Sequence, residues 1–453
     1  MELVAAIHRF SWGLLVDWVC FVAVFLTLGL NFAPWRLIGF GLGQLWGSLR
    51  HPGPPAATDE GELNSWTAFM VTLGSTVGVG NLTGTALGIS LGGPGVLAWL
   101  WAVSLVGMAL KFAETALAVR FRRPQANGSV LAGPMLTIEG GLHRRWRWMA
   151  VLFAAMTVVA GFGSSNGLQV RQLANVMAQD LGSPPLLSGL AAALITAAVI
   201  SGGLRRIGQV ATLLVPAMVL GYGLAMAGLL LLHRADLPDA LAQVLTGALN
   251  RRAIAGGGVA VTVGAAVRLA VFSNEAGTGS SAIVQAAAWP GDPLRQGSIA
   301  MLGNLIDTTL CSALGLLVVA SGAYRSGASP FAVVEAAMVW ARPDSLWISH
   351  LASILFSLTT IIGASIVGER CLVYLVGPRW RIAYRCCWCA ALVPFAGLGG
   401  EQLWLITEML EALVVLPNLL ALLLLSPFLF PWVAEQIRRP PPPPLPTPPP
   451  CRP

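Results

Sequence analysis

Two stretches decide the fold: Gly74-Ser-Thr-Val-Gly-Val-Gly-Asn-Leu-Thr-Gly84 and Phe272-Ser-Asn-Glu-Ala-Gly-Thr-Gly279. Each lies at the middle of an apolar segment of spanning length, 66–91 for the first and 257–288 for the second. Glycine and polar residues there interrupt an otherwise continuous hydrocarbon-facing helix. An unpaired backbone amide or carbonyl in a bilayer costs several kcal/mol, so unwound backbone survives only where it lines a protein cavity. Close helix packing accounts for small residues in such a segment. It leaves Asn81, Asn274 and Glu275, which sit beside the glycines, without a role. The two broken segments therefore read as the two halves of one binding site.

The rest of the chain supports a membrane as its solvent. Of 453 residues, 56% are apolar and 10% charged, with a mean hydropathy of +0.73. A soluble domain carries roughly 25% charged residues. The apolar segments do not alternate as barrel strands do. The reading is an all-α membrane protein with about 11 transmembrane helices, at 11–32, 66–91, 95–121, 147–179, 186–203, 207–232, 257–288, 297–321, 347–375, 382–399 and 402–433. Residues 329–342 read as a short helix in an external loop. The broken segments are five helices apart. With 11–32 set aside as an extra N-terminal helix, 66–232 and 257–433 form two five-helix repeats of inverted topology, with the site at the breaks. The transporter domain is then 1–439, and 440–453 is a proline-rich disordered tail in polyproline II form, a weak candidate for binding a partner.

Net charge +7 does not call for nucleic acid, because the cations sit between apolar segments. Placing the N-terminus outside puts 19 Arg and Lys residues, Lys111 among them, on the cytoplasmic side and 6 on the external side. That asymmetry predicts a multi-pass inner-membrane protein with a cytoplasmic C-terminus. No cleavable signal peptide is expected. Cys386, Cys387 and Cys389 suit small apolar filler, or a metal or redox role. No H-E-x-x-H is present and no nucleophile has an evident histidine base, so an enzyme is not expected.

Several stretches together resemble the alanine or glycine:cation symporter family, whose members have a LeuT-type fold. They are Val77-Gly-Val-Gly-Asn-Leu-Thr-Gly84, Leu91-Gly-Gly-Pro-Gly95, Lys111-Phe-Ala-Glu114, Gly133-Pro-Met135, Phe272-Ser-Asn-Glu-Ala-Gly-Thr-Gly-Ser280, Ile306-Asp-Thr-Thr309, Gly368-Glu-Arg-Cys371 and Leu416-Pro-Asn-Leu419. They run in family order over nearly the whole membrane region. The resemblance implies sodium- or proton-coupled symport of alanine, glycine or a similar small neutral amino acid, with sodium as the coupling ion and no other cofactor.

Chemistry assigns the groups. A substrate carboxylate suits free amides at a half-helix N-terminus, here around Thr83 and Gly84, with Asn81 beside them. Its ammonium suits the exposed oxygens of Phe272, Ser273 and Asn274. By resemblance Gln169, in Asn166-Gly-Leu-Gln169, contacts substrate; packing or an interhelical hydrogen bond is the alternative. Gly74-Ser-Thr-Val77 resembles the sodium-binding stretch of LeuT-type symporters, and Phe356-Ser-Leu-Thr-Thr360 its partner. The resulting sodium set is the carbonyls of Gly74, Val77 and Phe356 with the hydroxyls of Thr359 and Thr360. The alternative for a threonine is a bond back to its own helix.

Glu114, Glu275, Asp307, Glu408 and Glu411 are intramembrane acids that need a partner or a wet cavity. Glu275 is expected to cap its broken helix or to accept from exposed amides, and Glu114, near the cytoplasmic face, to pair with Lys111 or Arg120. Arg171, Glu408 and Glu411 depart from the family's usual Asn, Asp and Asn; Leu136, Thr137, Thr278 and Ser281-Ala282 also depart. The new cation and anion predict an Arg171–Glu411 salt bridge. These departures leave open a proton-coupled transporter of another small amino acid, and a transport-dead ligand sensor.

Overall fold

The computed structural model describes residues 2–50, 61–125, 128–248 and 258–438. The proline tail and Arg251 and Arg252 lie outside these residues. The described chain is helical apart from two two-residue strand pairs. Among the described residues, six helical stretches are long and apolar enough to cross a bilayer: Val96–Arg120, Arg144–Leu181, Gly203–Leu232, Pro293–Ser321, Pro343–Val376 and Leu403–Arg438. The other expected spans are shorter apolar helices or broken ones, so the count of about 11 goes beyond what length and composition establish.

The helices are α1 Glu2–Gly29, α2 Ile38–Arg50, α3 Ser65–Thr76, α4 Thr85–Gly92 and α5 Val96–Arg120. After them come α6 Pro134–Gly141, α7 Arg147–Gly161, α8 Gln169–Leu181, α9 Pro185–Ile200, α10 Gly203–Leu232 and α11 Leu237–Ala248. The remainder are α12 Gly258–Asn274, α13 Ser280–Gln285, α14 Pro293–Ala300, α15 Leu302–Ser321, α16 Pro330–Ala341, α17 Leu346–Val376, α18 Arg381–Phe395 and α19 Gly400–Arg438. Sequence reading missed α2 and α11, whose apolar faces are too short to read as spans.

Both decisive stretches break where the glycines fall. α3 stops at Thr76, Val77 is extended (φ −74°, ψ 101°), and a π turn over Gly80–Gly84 leads into α4. α12 stops at Asn274. Glu275, Gly277 and Gly279 then adopt positive φ (51°, 92° and 73°) before α13 begins. A left-handed conformation is routine for glycine and uncommon for glutamate, so Glu275 needs a tertiary hold. A third interruption was not foreseen. The segment read as one span at 147–179 carries a π turn over Phe162–Leu168 between α7 and α8. Such turns gather at functional sites.

α5 is buried among α1, α12, α13, α14 and α15. α17 crosses α3, and at their contact a Cβ on Gly363 would lie 3.0 Å from the Ser75 Cβ. That approach brings Thr360, one turn earlier on the same face of α17, against the end of α3. Near the start of α3, Leu63–Asn64 pairs in parallel with Ala288–Trp289, which comes after α13. Arg370 of α17 holds Glu62 there at 2.8 Å. The chain ends flanking both breaks are thus tied together at one end of the bundle.

Candidate transport site

The freed amides of the first break are met by side chains. Gly78 N–H donates to Asn81 Oδ1 at 3.0 Å, and Val79 N–H to Gln169 Oε1 at 3.1 Å. Gln169 Nε2 turns back to the Ser164 carbonyl inside the π turn (3.4 Å). Gly78 has no room for a side chain: a Cβ would lie 2.8 Å from Thr360 Oγ1 and 3.0 Å from the Gln169 amide. Gly78 and Val79 were absent from the sequence reading, which placed the open amides at Thr83 and Gly84. Thr83 Oγ1 is buried and makes no hydrogen bond. A Cβ at Gly84 would face Leu269 at 3.5 Å and Trp404 at 3.9 Å.

The two breaks touch. A Cβ on Gly80 would sit 3.2 Å from the Phe272 carbonyl and 3.5 Å from the Ser273 Cα. Asp307 of α15 joins them. Its Oδ1 accepts from Asn81 Nδ2 at 2.6 Å, and its Oδ2 accepts a short hydrogen bond from Ser273 Oγ. Asn81, Ser273, Asn274 and Asp307 are all buried. Asn274 Nδ2 reaches Thr308 Oγ1 at 3.3 Å. Phe272 turns its ring onto Trp404 of α19, with centroids 4.7 Å apart. Trp404 in turn donates to Glu408 Oε1 at 3.0 Å.

At the end of α3 the helix leaves two carbonyls without partners of their own helix. Thr360 Oγ1 lies 3.3 Å from Gly74 O and 3.1 Å from Val77 O. Thr359 Oγ1 instead bonds its own helix at Leu355 O (2.9 Å) and Phe356 O (3.1 Å). Three of the five expected oxygens thus meet, and Thr359 with Phe356 form a neighbouring pair. Hard oxygen donors of this kind suit a small metal cation.

Three expectations about the acids and cations are corrected. Arg171 does not pair with Glu411: Arg171 Nη1 donates to Ala396 O at 3.2 Å, and Glu411 Oε2 is buried without a hydrogen bond. The carbonyl at Ala396, where α18 ends, takes the guanidinium instead. Glu114 makes no direct ion pair with Lys111 or Arg120 among the described residues; it accepts from Asn418 Nδ2 at 2.6 Å, and the Lys111 charge acts on it from further off. Lys111 is not a cytoplasmic cation. It is 1% exposed, nine residues inside the end of α5, about 14 Å along the axis at 1.5 Å per residue. Glu275 accepts from Ser280 Oγ, at the first residue of α13.

A family model described as the sodium:alanine symporter family matches residues 1–438. The chain belongs to the sodium:alanine symporter family. Curated relatives agree with that membership over nearly their whole length. The sodium/alanine symporter AgcS of Methanococcus maripaludis is 33% identical over 437 residues, covering 94% of this chain and 95% of the relative. An uncharacterized transporter of Haemophilus influenzae is 35% identical over 439 residues, with 93% of each covered. Among solved structures, MhsT in complex with L-phenylalanine superposes with a TM-score of 0.56 at 14% identity, over 82% of this chain and 97% of that one. That likeness shows a shared, LeuT-like fold. This symporter-family chain is a multi-pass membrane transporter, not an enzyme, and amino-acid–cation symport is its class of activity.

Proposed function

We propose that this transporter uses the sodium gradient to take up a small neutral amino acid such as alanine or glycine across the plasma membrane by alternating access. The meeting of the Gly74 and Val77 carbonyls with the Thr360 hydroxyl carries the reading. Sodium takes those three oxygens, with Phe356 O and Thr359 Oγ1 completing its shell when the threonine turns from its own helix. The substrate lies between the touching breaks. Its carboxylate meets the amide-rich stretch from Gly78 to Gly84 with Asn81 and Gln169, and its ammonium meets the oxygens of Phe272, Ser273 and Asn274. Leu269 and Trp404 face Gly84 and give that end of the stretch an apolar wall.

The bundle that carries the breaks then rocks against the scaffold and opens inward, between the two five-helix repeats 66–232 and 257–433. The N-terminus lies outside and the C-terminus in the cytoplasm, as the arginine asymmetry favours. One sodium contributes about 2.3 kcal/mol per 100 mV. At 1.4 kcal/mol per tenfold, the electrical gradient alone supports about 50-fold accumulation. Proton coupling is the second reading, favoured by the buried, unpartnered Glu411 Oε2.

Equilibrium binding of labelled alanine, glycine and a small amino-acid panel to the detergent-solubilised protein tests this, in sodium and in choline across a pH series. Binding that needs sodium and weakens in Thr360→Ala is the expected result. Binding indifferent to sodium and governed by pH moves the coupling to the carboxylates. Binding in sodium without any flux in vesicles leaves a sensor.

A further inference from the structure

Lys111, the chain's lone lysine, has no part in either set of contacts above. It lies in the middle of α5, 1% exposed. Its Nζ donates to Ser281 Oγ at 2.7 Å, and the acids whose charge acts on it are Glu275, Glu114 and Asp307. An ammonium taken out of water costs several kcal/mol even when partnered, so such a group in a span is a poor stabiliser and marks a functional position.

Around it lies the second break. Glu275 stands in left-handed backbone at its start, a strain of about 1–3 kcal/mol for a residue other than glycine. Glu275 is tied forward to Ser280 Oγ, and Thr278 Oγ1 donates to the Glu275 carbonyl at 2.8 Å. Asn418 of α19 donates to Gly277 O at 2.9 Å and to Glu114 Oε1 at 2.6 Å. Segment 275–281 is thus held from outside at Ser281 by Lys111 and at Gly277 by Asn418, which Glu114 orients. Both Lys111 and Glu114 project from one face of α5, three residues apart.

We propose that Lys111, with Glu114 and Asn418, is a positioning residue for the substrate site. It holds the unwound segment 275–279 and the start of α13 in shape and supplies the counter-charge that lets Glu275 remain there. Ser273 and Asn274 at the other end of that segment are thereby set against Asn81 and Asp307. Lys111 then governs substrate affinity without touching substrate. The sodium oxygens on α3 and α17 do not depend on it. The proposal rests on the transport reading above.

The test uses the full-length protein in proteoliposomes, with Lys111→Gln, Lys111→Met/Glu275→Gln and Ser281→Ala. Labelled alanine uptake gives KM, Vmax per folded transporter and the sodium half-saturation. Lys111→Gln should raise KM about tenfold or more, the size of a lost charged hydrogen bond. Vmax and sodium half-saturation should stay near wild type. The neutral double variant should recover part of the loss, because Glu275, first among the acids acting on Lys111, is no longer left without its counter-charge. Ser281→Ala, which removes only the contacting oxygen, should raise KM by roughly two- to tenfold. It carries the test if the Lys111 variants fail to fold.

An unchanged KM, or substrate and sodium affinities falling together, would overturn the proposal. If the wild type takes up no amino acid under any gradient, it is the transport reading that fails. Amide exchange over 275–281 then decides the positioning claim: faster exchange in Lys111→Gln upholds it, and unchanged exchange rejects it.

Discussion

At the residue scale the site is a set of side chains replacing backbone partners that a continuous helix would have supplied. Asn81 and Gln169 cap the Gly78 and Val79 amides, and Asp307 fastens Asn81 to Ser273. Asp307→Asn should therefore weaken alanine binding strongly, by about 2–3 kcal/mol, because it removes a charged acceptor from two buried hydrogen bonds; titration of labelled alanine measures it. Gly78→Ala should abolish sodium-dependent binding while the protein still inserts. Its Cβ would displace both Thr360 Oγ1 and the Gln169 amide, and size-exclusion profiles beside binding curves separate the two effects. Asn81, Ser273 and Asn274 were legible because polar residues beside mid-span glycines have few bland explanations. Asp307 was legible only as an acid in need of a partner. Its role as the joint between the breaks depends on contacts with residues distant in sequence, which no local pattern encodes. Gln169 was legible through resemblance alone.

At the element scale, both breaks fall where glycine and polar residues predicted them, while the π turn at Phe162–Leu168 carries a similar run, Gly161-Phe-Gly-Ser-Ser-Asn-Gly167, that the sequence reading did not use. Arg171 bonds Ala396 O and makes no pair with Glu411. The two residues should consequently behave independently. Arg171→Gln and Glu411→Gln together should equal the sum of the single effects within about 0.5 kcal/mol, and swapping the charges should rescue nothing; thermal stability of the four proteins checks this. A different element contact is specific enough to test. His350 of α17 bridges Asp180 of α8 (2.6 Å) and Glu335 of α16 (3.1 Å), one carboxylate on each ring nitrogen. His350→Ala should release α16, seen as faster amide exchange over Pro330–Ala341 with the rest of the bundle unchanged.

For the whole molecule, composition and hydropathy were sufficient to place the chain in a membrane, since no soluble fold tolerates so few charges over so many apolar segments. Length and hydropathy alone miss particular helices at this scale: α2 and α11 do not qualify as spans, and the broken segments are short once divided. The sign of the cation asymmetry survives the removal of Lys111 from the cytoplasmic set. No sequence pattern announced the closure at one end of the bundle, where Glu62 meets Arg370 and Leu63–Asn64 pairs with Ala288–Trp289. These contacts tie the approach to α3 to the exit from α13, so in the proposed rocking the two broken segments move together.

The central claim is that sodium drives amino-acid accumulation through oxygens at the end of α3. Uptake of labelled alanine into proteoliposomes, under an inward sodium gradient and under choline, tests it most directly, with Thr360→Ala measured alongside. The expected result is accumulation above the external concentration in sodium only, with the variant needing about tenfold more sodium, the scale of one lost ligand. Accumulation that proceeds equally in choline, or a Thr360→Ala protein with an unaltered sodium requirement, would contradict the account.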